Sequence, residues 1–274
     1  MPVLRTADAE LHYEERGQGD PVVLLHGLGS RGEDWEPQLA ALSPRYRVIA
    51  IDIRGSGRSR DLVHPAGPFS VSTFAADVAA VIDHAGAAPA HIIGLSMGGM
   101  IAFQLAIDHP RAVRTLTIIN SGPALVPQTW SEHVVITTRL AVASICGPRG
   151  MANLLARRLF PNDNDARATF IEQMARNDRR SYAATQRALV GFDVLPQISA
   201  IAVPALIVAS DQDYTPIARK QAYARMMRDA RVVVVPDSRH ALPIEEPHKL
   251  QPILDAFLAE HGTREGGHDH AASR

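Results

Sequence analysis

Gly94-Leu95-Ser96-Met97-Gly98 sets a serine between two glycines, directly after the apolar run His91 to Ile93 and directly before a stretch of helical spacing. A serine on a tight strand-to-helix turn projects its hydroxyl above the sheet edge, and flanking glycines let the backbone pass closely. Such a hydroxyl becomes a nucleophile when a base takes its proton and an acid orients the base. Both partners can be read downstream. The run Ala205 to Ala209 ends in Ser210-Asp211-Gln212-Asp213, and Val232 to Val235 ends in Pro236-Asp237-Ser238-Arg239-His240. Each leaves a strand end on the side where α/β sheets bind ligands. Ser96 is therefore expected as nucleophile, His240 as base and Asp213 as orienting acid. Asp211 reads as a loop-capping carboxylate, and of the 12 histidines His240 is the one in the loop directly after the last strand. The oxyanion formed at an attacked carbonyl needs backbone donors already in place. The amide of Met97 is one, and that of Leu28, in His26-Gly27-Leu28-Gly29, is the other. His26 is expected to be a structural hydrogen-bonding residue.

The elements that must carry these groups follow from hydrophobic periodicity. Short apolar runs at Val22–Leu25, Val48–Ile51, Ile92–Leu95, Leu116–Ile119, Ala205–Ala209 and Val232–Val235 read as strands buried on both faces. Between them, helices are predicted at Trp35–Leu42, Val71–Ala85, Gly99–Asp108, Ile217–Met227 and Pro247–Ala259, with Ser72 as an N-cap, Pro247 in a first turn and Gly86 as a stop. Alternation of this kind predicts an α/β fold with a mostly parallel central sheet flanked by helices. The rhythm breaks at residues 122–196, which carry helical spacing and no convincing strand, so an inserted helical cap is expected there. The core is then 1–121 with 197–262, and 263–274, which lacks periodicity and includes His268 and His270, reads as a disordered tail. Within the cap, Trp130, Phe160, Phe170 and Met174 are candidates for an apolar substrate pocket.

Composition closes off several classes of function. Lys plus Arg number 28 against 29 Asp plus Glu, a net charge of -1 that suits neither a nucleic acid nor an anionic membrane. No stretch approaches a membrane span and no signal core opens the chain, so a cytoplasmic protein is expected. Cys146, the single cysteine, excludes an internal disulfide and is expected to be buried.

The combination resembles the α/β-hydrolase superfamily from about Leu11 to Glu260. His26-Gly27-Leu28-Gly29, Asp52-Ile53-Arg54-Gly55-Ser56-Gly57-Arg58-Ser59, Gly94 to Gly99, Asp213, and His240 with Glu245 and Pro247 carry the likeness in family order. It is similar to the bacterial branch with 3-oxoadipate enol-lactonases, cofactor-free haloperoxidases and small carboxylesterases. The resemblance implies a cofactor-free, metal-free enzyme that cleaves a small-molecule ester or lactone, with carbon–carbon bond cleavage or haloperoxidase chemistry as alternatives on the same triad. It implies a structural role for Asp52 and Arg54. Ser210 departs from the family's usual glycine. Two other readings compete. Gly27-Leu28-Gly29-Ser30-Arg31-Gly32 with Asp52 also spells a dinucleotide fingerprint, which would make an NAD(P) oxidoreductase. A non-catalytic ligand receptor is the other, since fold does not fix function.

Overall fold

The computed structural model describes residues 2–62 and 69–263. In chain order the elements are β1 (Val3–Arg5), β2 (Ala9–Arg16), β3 (Pro21–Leu25), α1 (Glu36–Leu42), β4 (Arg47–Ile51), β5 (Arg60–Asp61), α2 (Val71–His84), β6 (Ala90–Leu95) and α3 (Met97–Asp108). They continue with β7 (Val113–Ile119), α4 (Trp130–Leu159), α5 (Asn164–Ala175), α6 (Arg179–Leu189), β8 (Ala205–Ser210), α7 (Ile217–Ala224), β9 (Ala230–Val235), α8 (Leu242–Glu245) and α9 (Pro247–Glu260). One open sheet orders the strands β1-β2-β4-β3-β6-β7-β8-β9, with β5 paired to β2. From β4 to β9 every neighbour is parallel, while β2 runs antiparallel to β1, β4 and β5.

Every residue of β6 and β8 is buried, as expected for strands covered on both faces. One face packs on α2 and α3 through Phe74, Val78, Ile101 and Phe103, and the other on α1 and α9 through Leu39, Leu250, Leu254 and Phe257. Phe74, Phe103, Leu39 and Phe257 are among the largest fully buried side chains, each contributing roughly 1.5–3 kcal/mol by leaving water. The N-cap of α2 is Ser70, not Ser72, because Val71 already belongs to the buried stripe Val71, Phe74, Ala75, Val78, and the Ser70 hydroxyl accepts the Thr73 N–H. Gly86 follows α2 with φ +58°, the left-handed conformation of a helix stop.

Between β7 and β8 stand the helices α4, α5 and α6, and an antiparallel bridge between Ala124 and Asp193 ties the two ends of this segment together. Gly147 (φ +67°) followed by Pro148 breaks α4 into two arms. Cys146 is exposed rather than buried. Its neighbours Ser144 and Ile145 are exposed too, so the helical phase before the Gly147 break turns this cysteine outward. His268 and His270, with the rest of 264–274, lie outside the described residues. Among the described residues no helix is long and apolar enough to cross a membrane.

Candidate active site

Ser96 closes β6 and opens α3 with φ 54° and ψ -114°, a backbone conformation that costs a non-glycine residue about 1–3 kcal/mol. What holds it there is close packing. A Cβ on Gly94 would lie 2.3 Å from the Gly98 carbonyl oxygen, and one on Gly98 would lie 2.1 Å from that of Leu25. The Ser96 N–H donates to Ile119 O at 3.0 Å, and Ser96 O accepts the Ser121 hydroxyl at 2.6 Å. Met97 is the first residue of α3, so its N–H meets no carbonyl within that helix and points at the anion-attracting end. The loop after β3 approaches the same point, with the position of a Gly27 Cβ 3.5 Å from Ser96 Cβ.

At the next strand ends, His240 and Asp213 come together. His240 Nδ1 lies 2.8 Å from Asp213 Oδ1. Oδ1 also accepts the Tyr214 N–H, and Oδ2 accepts the Thr215 hydroxyl and, at 2.6 Å, the Lys220 ammonium. Burial alone would raise the Asp213 pKa. The His240 hydrogen bond and charge, with Lys220 behind them, hold it down at about 2, so the carboxylate is ionised throughout the neutral range. The Lys220 ammonium is held below the ordinary lysine value by burial, against the opposing pull of Asp213. Asp211 accepts the Ser238 N–H at 3.0 Å and ties the two loops together as a cap. Ser210, where a glycine was the family expectation, is fully buried and exchanges two hydrogen bonds with the Asn120 amide. That amide also donates to the carbonyls of Arg239 and His240. Glu245 Oε1 accepts the Ala241 N–H, and burial pushes its carboxyl up to about 7.

A cavity of about 240 Å³ lies over these groups, lined by Leu28, Ser96, Met97 and His240 from the core. Phe170 and Met174 of α5 line it, whereas the other two aromatic candidates do not. Phe160 packs behind Phe170, ring centroids 5.7 Å apart. Trp130 stands 83% exposed at the start of α4. Ile136 and Leu155 of α4 and Tyr182 and Leu189 of α6 add to the apolar wall, and the break at Gly147 leaves the two arms of α4 without one common helical phase.

The geometry has counterparts among known proteins. Residues 22–250 match the Alpha/beta hydrolase family. The chain belongs to the α/β-hydrolase family. RutD of Azorhizobium caulinodans, assigned by name to carbamate hydrolysis, is 32% identical over 269 residues, covering 95% of this chain and 99% of that protein. The 3-oxoadipate enol-lactonase 1 of Acinetobacter baylyi is 29% identical over 246 residues, covering 86% and 88%. Among solved structures, the enol-lactonase from Burkholderia xenovorans LB400 superposes with a TM-score of 0.84 at 28% identity, covering 94% of this chain and all of that one.

Other features of the hydrolase follow the expected structural roles. Buried His26 donates from Nδ1 to Gly27 O at 2.7 Å and accepts the Ile53 N–H at Nε2, a neutral imidazole whose pKa burial lowers. Asp52 accepts the amides of Gly32 and Arg58, so the carboxylate that a dinucleotide reader would turn to a ribose is spent on its own backbone. Arg54 is buried against Asp77 in a bidentate pair and also reaches Asp8.

Three residues of the hydrolase's site have no clear sequence signal: Asn120, Tyr214 and Lys220. Lys220 and Asp213 are both within 1% of full burial. Lys220→Met leaves the carboxylate without the ammonium that, among the described residues, is its permanent cation, and is expected to lower the unfolding free energy by about 3 kcal/mol. A urea midpoint shift at unchanged slope reads this, and a loss under about 1 kcal/mol would mean that ordinary hydrogen bonds suffice.

Proposed function

We propose that this hydrolase cleaves a carboxylic ester or lactone of small to medium size through an acyl-enzyme on Ser96. The observation that carries the reading is the Asp213–His240 pair, ionised carboxylate to imidazole at 2.8 Å, facing one cavity with a serine held on a strained elbow. Because Asp213 accepts from Nδ1, the lone pair of His240 is on Nε2. Ser96 Oγ attacks the carbonyl carbon and passes its proton to Nε2. The Met97 and Leu28 amides receive the oxyanion. As the tetrahedral intermediate collapses, His240 returns the proton to the departing alkoxide, which in a lactone stays tethered to the acyl group. Water then gives a proton to His240 and attacks the acyl-enzyme; as the bond to Ser96 Oγ breaks, His240 passes that proton to Oγ, the acid leaves and Ser96 is restored.

Relatives named for enol-lactone cleavage support the lactone half of this reading. The cavity of about 240 Å³, with Phe170 and Met174 in its wall, supports a short or medium acyl group. The test is a substrate panel of esters of increasing acyl length, simple lactones and vinylogous diketones. Short and medium esters or lactones are expected to turn over, with no jump in rate as a long-chain triglyceride passes its solubility limit. Turnover of the diketones alone would assign the same groups to carbon–carbon bond cleavage. A burst of about one equivalent without turnover would indicate a receptor.

A further inference from the structure

The basic nitrogen of His240 already has a partner. The Tyr214 hydroxyl lies 2.7 Å from His240 Nε2, and the two rings stack with centroids 4.2 Å apart at 30°. Since Nδ1 donates to Asp213, Nε2 is an acceptor, and the phenol is the donor. Burial pushes the Tyr214 phenol up to about 12, so it stays neutral and keeps that proton over the working range. Ser96 and Tyr214 both line the cavity, and the Ser96 hydroxyl and Arg139 guanidinium act against that burial on the same phenol.

An imidazole nitrogen has one in-plane lone pair. While Tyr214 Oη occupies it, Nε2 can neither take the Ser96 proton nor hand a proton to a leaving group. Both transfers require another oxygen in the place where Oη stands.

We propose that Tyr214 is a gate residue: in the empty enzyme its hydroxyl holds the seat between Ser96 and His240, and productive substrate binding displaces it. The inference rests on the Ser96–His240 roles proposed above. The backbone of Tyr214 is fixed, because its N–H donates to Asp213 Oδ1 at 2.8 Å, so the gate opens by side-chain rotation. The cap holds it shut. The guanidinium groups of Arg139 and Arg158, both on α4, lie 5.2 and 5.3 Å from the Tyr214 ring centroid. Tyr214 also lines the cavity beside Leu28 and Met97, so a ligand that fills the cavity competes with the ring for space. Substrate entry, cap position and release of the base are thereby coupled through one side chain.

Tyr214→Phe keeps the ring, its stacking and its contact with the arginines, and removes only the oxygen on Nε2. The experiment measures the rate at which diisopropyl fluorophosphate labels Ser96 in wild type and Tyr214→Phe, with kcat/KM on a small activated ester and the melting temperature. One hydrogen bond given up before reaction corresponds to about a two- to ten-fold rate difference. Labelling and kcat/KM are expected to rise by that factor in Tyr214→Phe, with the melting temperature close to wild type. Arg158→Met, outside the cavity lining, is expected to speed labelling in wild type and to leave Tyr214→Phe unchanged. Equal or slower labelling of Ser96 in Tyr214→Phe would overturn the gate; slower labelling would instead make the phenol a relay that passes the Ser96 proton on. Absence of label on Ser96 in both proteins would overturn the nucleophile assignment and the gate with it.

Discussion

Ser96→Ala is expected to abolish labelling by a fluorophosphonate and to lower kcat on any turned-over ester by about 10⁶-fold, the cost of removing a nucleophile from a working triad. A phosphorus centre of this kind reacts with a serine only when a neighbouring base takes its proton. The elbow provides a control on the fold. Alanine keeps the strained φ of 54° and the backbone hydrogen bonds to Ile119 and from Ser121, so the unfolding transition should barely move. Loss of reactivity with an unchanged melting temperature separates chemistry from stability. An adduct mapped by mass spectrometry to a serine other than Ser96, or full activity in the alanine variant, would remove Ser96 from the mechanism.

Much of the frame that positions this serine could be read from the chain, and the reason is burial. The six apolar runs expected as strands are β3, β4, β6, β7, β8 and β9, each found within about three residues of its expected bounds. Strands covered on both faces leave uninterrupted β-branched runs that few other structures produce; β9 departs from that expectation, because it is an edge strand and its Val232 to Val234 are half-buried or exposed. The antiparallel edge was missed. In β2, Ala9, Leu11 and Tyr13 are buried while Glu10, His12 and Glu14 are half-buried, an alternation that dilutes the apolar signal with charge. The two-residue β5 has no pattern of its own.

Chain order singled out Asp213 and His240 as candidates, and they meet at 2.8 Å because each sits a few residues past a strand end, where position along the sheet fixes position in space. What order could not supply is the rotation of a side chain about its backbone. Nothing in its type or position marks Tyr214, yet the turn of that loop lays its ring on the imidazole. Lys220 depends on the phase of α7, which points a residue in the middle of a polar helix back under the loop. In α4 and α5 the same uncertainty acted in the other direction. Trp130 is large and apolar and so invites a pocket role, but it begins α4 and faces away. Met174, four residues beyond Phe170, shares its face of α5 and meets the cavity.

The sharpest separation the geometry allows is between two aspartates in one loop. Asp213 makes four hydrogen bonds, from His240, Tyr214, Thr215 and Lys220, and is fully buried. Asp211 is exposed and accepts the backbone N–H of Ser238. An acid that orients the base does two things: it selects the tautomer with the lone pair on Nε2, and it stabilises the imidazolium that forms as Ser96 is deprotonated. An asparagine at 213 can turn its NH₂ to Nδ1, which would place the lone pair on the wrong nitrogen. It also supplies no charge to the imidazolium, and it meets Lys220 as a neutral group. Asp213→Asn is therefore expected to lower kcat by about 10⁴-fold. Asp211→Asn should leave kcat within about two-fold, since asparagine retains an oxygen for the Ser238 N–H, and should cost about 1 kcal/mol of stability at most. Measured side by side on one activated ester with melting temperatures, the two variants should differ by orders of magnitude in rate. If Asp211→Asn lost the activity and Asp213→Asn kept it, the 2.8 Å contact between Asp213 and His240 would be a structural pair and the orienting acid would lie elsewhere.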